Sequence, residues 1–275
     1  VQVAPAEAPP IYFDARRELA ARFLFGHGVE IGALHLPLTM PAGVKVRYVD
    51  RKSVDDLRRE YPELEGWNLT EVDVLDDGEL LSTIAQESQD FIVANHFLEH
   101  CENPIGTIHN HLDKLRPGGV LFYAVPDKRF TFDFRREVTP LEHMIADYEQ
   151  GPERSRREHY DEWVRLVSIQ PGETDEQAIA RARDLEDALD SIHMHVWTQV
   201  EFLQLILAAR ERCDSGFEIE ASARQQIEFM VVLRKNGPLP PPHAIAAPDV
   251  APEVAPTARR IRSKARAVLS RAIRR

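Results

Sequence analysis

The stretch from Gly28 to Asp50, GVEIGALHLPLTMPAGVKVRYVD, constrains the fold of this chain more than any other. Val29, Glu30 and Ile31 read as the end of a buried strand, Gly32 opens a tight turn, and Val44 to Val49 read as a second strand closed by an acid. A turn with little side-chain bulk lets backbone N–H groups approach a nucleotide, and an acid about 20 residues further on can accept hydrogen bonds from two ribose hydroxyls. Asp50 stands at that place. Leu34 and Leu36 occupy positions where a dinucleotide fingerprint requires glycine, which disfavours nicotinamide chemistry. Eleven residues separate Gly32 from Val44, Pro37 and Pro41 among them, so a full helix is not expected between the two strands. His35 is thereby a candidate cofactor-loop residue.

Further elements follow in alternation. Asp14 to Phe25 carries an apolar face and reads as a helix packed on the sheet before the first strand. Ser53 can cap a short helix to Tyr61, Leu69 to Val74 reads as a third strand, and Asp90 to Ala94 as a compact fourth. The carboxyl end of that strand delivers Asn95 and His96, followed by Glu99 and His100. Ligands of open α/β sheets bind beyond the carboxyl ends of strands, so chemistry is expected there. His96 and His100 are four apart and can share a helix face, a spacing that also suits two metal ligands. With no recognisable third ligand beside them, no metal centre is expected. Ile105 to Leu115 reads as an amphipathic helix stopped by Arg116-Pro117-Gly118-Gly119, and Val120 to Val125 as a fifth strand ending at Asp127.

In order and spacing, VEIGA at 29–33, YVD at 48–50, VDVLDD at 72–77, DFIVANHFLEHCENP at 90–104 and LRPGGVLFYAVPD at 115–127 resemble the class I S-adenosylmethionine (SAM) dependent methyltransferases of the type 11 group. The LEH and LRPGG segments are the most specific of these. This resemblance implies an α/β fold: a seven-stranded, mostly parallel Rossmann-like sheet with helices on both faces. It implies SAM as cofactor, held by Glu30, Gly32, Ala33, His35, Asp50, Asp73, Val74 and Asn95, with Asp73 facing the adenine amino group and Val74 packing on the ring. About 70 residues between Asp127 and Trp197, rich in Arg, Glu, His and aromatics, interrupt the family pattern and read as a cap over the acceptor site. Within it, His193 and His195 alternate as in a strand and would point the same way. Thr198 then caps a helix from Gln199 to Arg212, and Phe217 to Ala221 and Ile227 to Leu233 form a closing antiparallel pair.

The expected organisation is a disordered segment at 1–13, a SAM-binding core at 14–126, a cap at 127–198 and completion of the core at 199–236. A proline-rich linker at 237–257 and a basic amphipathic helix at 258–275 follow. Eight of the 34 Lys and Arg lie in 258–275, where there is no Asp or Glu, so the remaining chain balances 26 basic against 45 acidic residues. An acidic body is a poor partner for nucleic acid. The tail could dock on an anionic membrane surface or an acidic protein. Two cysteines without a CxxC, and no apolar run of the roughly 18 residues that span a bilayer, lead us to expect a cytoplasmic protein, with the tail as a possible peripheral contact at the inner membrane face.

Methyl transfer is an in-line displacement, and a hydroxyl acceptor must also lose a proton. His96, Asp127, His193 and His195 are the candidate bases. The residues after the fourth strand, Asn95-His96-Phe97, lack the prolines typical of amine-methylating relatives, which favours oxygen in a small hydroxylated metabolite or a sugar or glycan-type acceptor. The alternatives are a non-catalytic interaction module of the same fold and, behind it, a metal-dependent hydrolase. The oligomeric state is left open.

Overall fold

The computed structural model describes residues 14–214 and 216–238. The expected disordered N-terminus, most of the linker and the basic tail helix lie outside the described residues.

Seven strands make one sheet: β1 (His27–Ile31), β2 (Lys45–Asp50), β3 (Val74–Leu75), β4 (Gln89–Asn95), β5 (Leu115–Pro126), β6 (Phe217–Gln225) and β7 (Glu228–Lys235). Their spatial order is β3-β2-β1-β4-β5-β7-β6. The first five run parallel, while β7 is antiparallel to β5 and to β6. The order reverses between β1 and β4, and it is beyond the carboxyl ends of these strands that a cleft opens.

Side-chain alternation along the central strands divides the core into two layers. Ile92 and Ala94 of β4 with Leu121 and Tyr123 of β5 pack beneath α3 (Pro104–Lys114) and α7 (Gln199–Arg212), whose Ile108, Leu112, Leu205 and Ile206 are fully buried. Phe91, Val93, Val120 and Phe122 point to the opposite face, which α1 (Asp14–Phe23) covers through Ala20 and Phe23 together with Leu38 of the β1–β2 loop. That loop contains no helix, in keeping with its two prolines. Residues 69–73 do not extend the third strand as expected. Thr70 donates its N–H to the Leu34 carbonyl and only Val74 and Leu75 join β2, because this short segment has an edge neighbour on one side alone.

α2 (Val54–Glu60) is capped by Ser53 as its sequence requires. In the insertion, α4 (Leu141–Gln150) packs against α3 and α7, while α5 (Arg156–Leu166) and α6 (Asp175–Asp187) form a hairpin around Tyr160, Val164, Ala178 and Ala182. The alanines of α6 close a small core of the insertion. Arg136 is the polar centre of the insertion. Its buried guanidinium donates to Asp133, to Glu162 and to the carbonyl oxygens of His193 and Met194.

Candidate active site

A cavity of about 380 Å³ follows the carboxyl ends of β1, β2 and β4, within the size range of small-molecule sites. Its floor begins at Gly32, whose φ of +65° requires a residue without a Cβ penalty; a Cβ built there would meet nothing within 4 Å, so the turn faces open space. Asp50, the last residue of β2, lines the same wall. Its Oδ1 accepts the Lys52 N–H at 3.1 Å, and burial raises its carboxyl above the usual range. Opposite lie Asp77, Gly78 and Glu79. Gly78 sits so close to Phe97 and Ile31 that an added Cβ would fall 2.6 and 2.7 Å from their side chains. The roof comes from the insertion: Arg156 and Tyr160 of α5 and the segment 189–192.

Several residues expected to hold a cofactor lie elsewhere. Glu30 is buried behind the Gly32 turn, where both its oxygens accept the Leu38 N–H, at 2.9 and 3.1 Å, and Asn95 approaches Oε1 at 3.4 Å. Burial pushes its pKa up to about 7. Glu30 thus shapes the loop, and neither it nor Asn95 lines the cavity. Ala33 and His35 are also absent from that wall; His35 packs edge-on against Trp67, and burial lowers its pKa. Asp73 faces the backbone of β2, accepting the Tyr48 N–H at 2.8 Å, while Val74 packs against the main core. It is Asp77 and Gly78, four residues further along VDVLDDG, that reach the cleft. The sequence holds their signal, an Asp-Gly turn straight after the third strand, but the same pair also reads as an ordinary strand terminator.

His96 lines the cleft with a φ of +50°, a left-handed backbone that is uncommon for a residue with a Cβ. It is therefore not the first residue of a helix, and the expected shared helix face with His100 is replaced by a short 3-10 turn at Leu98–His100. The His96 Nε2 lies 2.7 Å from Glu228 Oε2, and Arg16 binds the same carboxylate through Nε at 2.7 Å and a second guanidinium nitrogen. Desolvation, partly offset by the hydrogen bond to Glu228, lowers the His96 pKa and keeps the ring neutral near pH 7. A carboxylate only accepts, so Nε2 carries the hydrogen and Nδ1 is left as the basic nitrogen. His100, also on the wall, gives its Nδ1–H to the Ile192 carbonyl at 2.9 Å, and burial lowers its pKa to about 3.

His193 and His195 do not act together. His193 Nδ1 bonds Asp133 Oδ2 at 2.7 Å and its ring stands edge-on to His100, 4.7 Å between centroids. His195 is fully buried and turns to a different group, with Nδ1 on the Cys101 carbonyl at 3.0 Å. The segment carrying them is not a strand, so the two-residue alternation does not apply. Asp127 is fully buried too: Arg129 grips both its oxygens, at 2.9 and 2.6 Å, leaving it a clamp at the end of β5 outside the cleft. Of the four candidate bases, His96 alone lines the cavity.

A seven-stranded sheet in this order, with a cleft at the switch point and an acid at the end of β2, defines a Rossmann-like class I methyltransferase. Residues 21–209 match the family model described as "Methyltransferase domain", and the chain belongs to that family. None of the curated proteins matches the sequence. Among solved structures it is similar to a SAM dependent methyltransferase from Aquifex aeolicus, at 14% identity over 81% of this chain and 89% of that one, with a TM-score of 0.44. It is similar also to a putative Zn-dependent alcohol dehydrogenase from Rhodobacter sphaeroides (14%, 82% and 90%, 0.47). A putative methyltransferase of Haloferax volcanii, solved with a methyltransferase activator, gives 14%, 82% and 90%, and 0.45.

Proposed function

We propose that the protein transfers a methyl group from SAM to a hydroxyl oxygen of a small metabolite or a sugar-type acceptor, with His96 as general base. The observation that carries this reading is an imidazole, oriented by a buried carboxylate, on the wall of a cleft that Asp50 at the end of β2 also lines. The residues fit the cofactor: Gly32 leaves open space at the turn, Asp50 would offer a carboxylate to two hydroxyls, and Asp77 brings a second carboxylate to the same cleft. When bound, SAM supplies a methyl carbon activated by its positive sulfur. His96 Nδ1 takes the acceptor's proton, and Glu228, itself held ionised by His96 and Arg16, stabilises the imidazolium that results. Arg156 and Tyr160 line the roof of the cleft, the Arg156 guanidinium paired with Glu102 and the Tyr160 hydroxyl donating to the Asp190 carbonyl at 2.9 Å.

Calorimetry with SAM and S-adenosylhomocysteine is the first test. The wild type should bind in the micromolar range and Asp50→Ala about 10²–10⁴-fold more weakly, since two hydrogen bonds to a charged group contribute about 1.5–3 kcal/mol each. A folded wild type that binds neither ligand refutes the reading. With an acceptor identified from a panel of hydroxylated metabolites and sugars, His96→Gln should lower kcat by about 10²–10⁴-fold while leaving SAM affinity intact.

A further inference from the structure

Away from the cleft, the insertion gathers a second group of side chains. α4 contributes His143 and Asp147, one turn apart on the same face; α5 contributes His159; and the segment before Trp197 contributes His195. Each offers one ligand atom, and these four atoms lie within 4.8 Å of one another. We propose that His143, Asp147, His159 and His195 bind one divalent transition metal of zinc type, and that this ion ties three segments of the cap to one another.

The distances have the scale of a coordination sphere. Zinc–ligand bonds of about 2.0–2.1 Å in a tetrahedron set neighbouring ligand atoms about 3.3–3.4 Å apart. His143 Nε2 lies 3.1 Å from His159 Nε2 and 3.1 Å from Asp147 Oδ2, and His195 Nε2 lies 3.4 Å from the same oxygen. Three imidazoles and one carboxylate suit zinc and its neighbours among the first-row divalent ions better than magnesium or calcium, which prefer oxygen.

The polar atoms behind the ligands are arranged as such a site requires. His195 donates Nδ1–H to the Cys101 carbonyl at 3.0 Å, which in a neutral ring turns the Nε2 lone pair inward. That lone pair faces Asp147 Oδ2, so two acceptors confront each other, and a cation between them reconciles the pair. The other carboxylate oxygen, Oδ1, is held from behind by the Ser155 hydroxyl at 2.6 Å and by Arg154 at 3.4 Å, leaving Oδ2 as the ligand. Asp147, His159 and His195 are buried, whereas His143 is partly open to solvent and gives the ion a way in.

Four protein ligands make a closed set, the arrangement of a structural ion. Its place explains what it would hold. α5 carries His159 between Arg156 and Tyr160, the two residues that roof the cleft, and Arg156 is itself clamped bidentately by Glu102 at 2.6 and 2.7 Å. An ion joining α4, α5 and the His195 segment sets that roof at a fixed height over the acceptor space. This assignment stands on its own ligand geometry and does not depend on the methyl-transfer reading.

The test is elemental analysis of the full chain, purified without a polyhistidine tag or chelator and then dialysed against Zn²⁺ followed by metal-free buffer. We expect about one zinc-type ion per chain. His159→Gln and Asp147→Asn should lose stoichiometric metal, Ser155→Ala should weaken it by about 10–100-fold, and His109→Gln, altering a histidine on α3 outside the group, should retain it. Should a ligand variant fail to fold, the wild type still decides: stripped with chelator and refilled with Co²⁺, it should show the intense visible bands of tetrahedral cobalt. A folded wild type that takes up no metal overturns the proposal, as does metal retained undiminished by folded His159→Gln and Asp147→Asn, or octahedral-type cobalt bands of low intensity.

Discussion

Replacing Glu30 by glutamine gives the sharpest test of how the Gly32 turn is supported. Glu30 is about 1% exposed, and burial raises its pKa from 4.5 to about 7 against the opposing pull of the Leu38 N–H, Arg16 and Asn95. An acid whose folded pKa is raised binds more protons folded than unfolded. Its contribution to stability is therefore intact below about pH 4.5 and is lost as pH rises through about 7. At roughly 1.36 kcal/mol per pKa unit, the ionised form costs about 3 kcal/mol above neutrality. Glutamine has nearly the same shape, keeps an oxygen for the Leu38 N–H and never ionises. Asn95 Oδ1 is buried without a hydrogen-bond partner, so it can accept from the new amide. Urea unfolding of both proteins at several pH values between about 5 and 8 measures the effect. Glu30→Gln should fall within about 1 kcal/mol of the wild type at the acid end and exceed it by about 2–3 kcal/mol at the alkaline end, with the difference growing through the window. A difference that stays constant with pH would show that Glu30 is ionised throughout and that the loop is held by a buried charge.

Other outcomes follow from the same geometry. Gly78→Ala pushes a methyl group into Phe97 and Ile31; overpacking of this kind costs about 1–3 kcal/mol, and isothermal titration should find SAM binding lost or strongly weakened in a protein that still folds. Arg136→Met leaves Asp133 and the His193 and Met194 carbonyls buried without their donor, which should destabilise by about 3–5 kcal/mol and lower the thermal midpoint by about 6–20 °C in a scanning measurement. Asp133→Asn weakens the acceptor that orients His193 but leaves His96 untouched, so the methyl-transfer kcat should be unchanged within about twofold if His96 is the base and His193 supports the cap.

The sequence by itself determined the succession of elements and where the cleft would open. The glycine turn at 32, the prolines at 37 and 41, the Ser53 cap and the apolar runs at 90–94 and 120–125 act within a few residues, through backbone sterics and side-chain alternation, and a local cause is legible in a local stretch. Asp50 was readable for the same reason, since a residue that ends a strand next to the switch point must face the cleft. Tertiary structure alone decided which polar side chains meet. Asp73 turned to Tyr48 and left the cleft to Asp77, because residues 69–73 run outside the third strand. His96 found Glu228, 132 positions away, through the pairing of β5 with β7. His193 and His195, two residues apart, went to separate groups because no strand holds them to a two-residue period, while His143, Asp147, His159 and His195 came together from three segments that only the tertiary packing of the insertion brings within one coordination radius. Periodicity tells which face of an element is buried; the partner on that face is chosen by long-range packing, and no short stretch of chain records it.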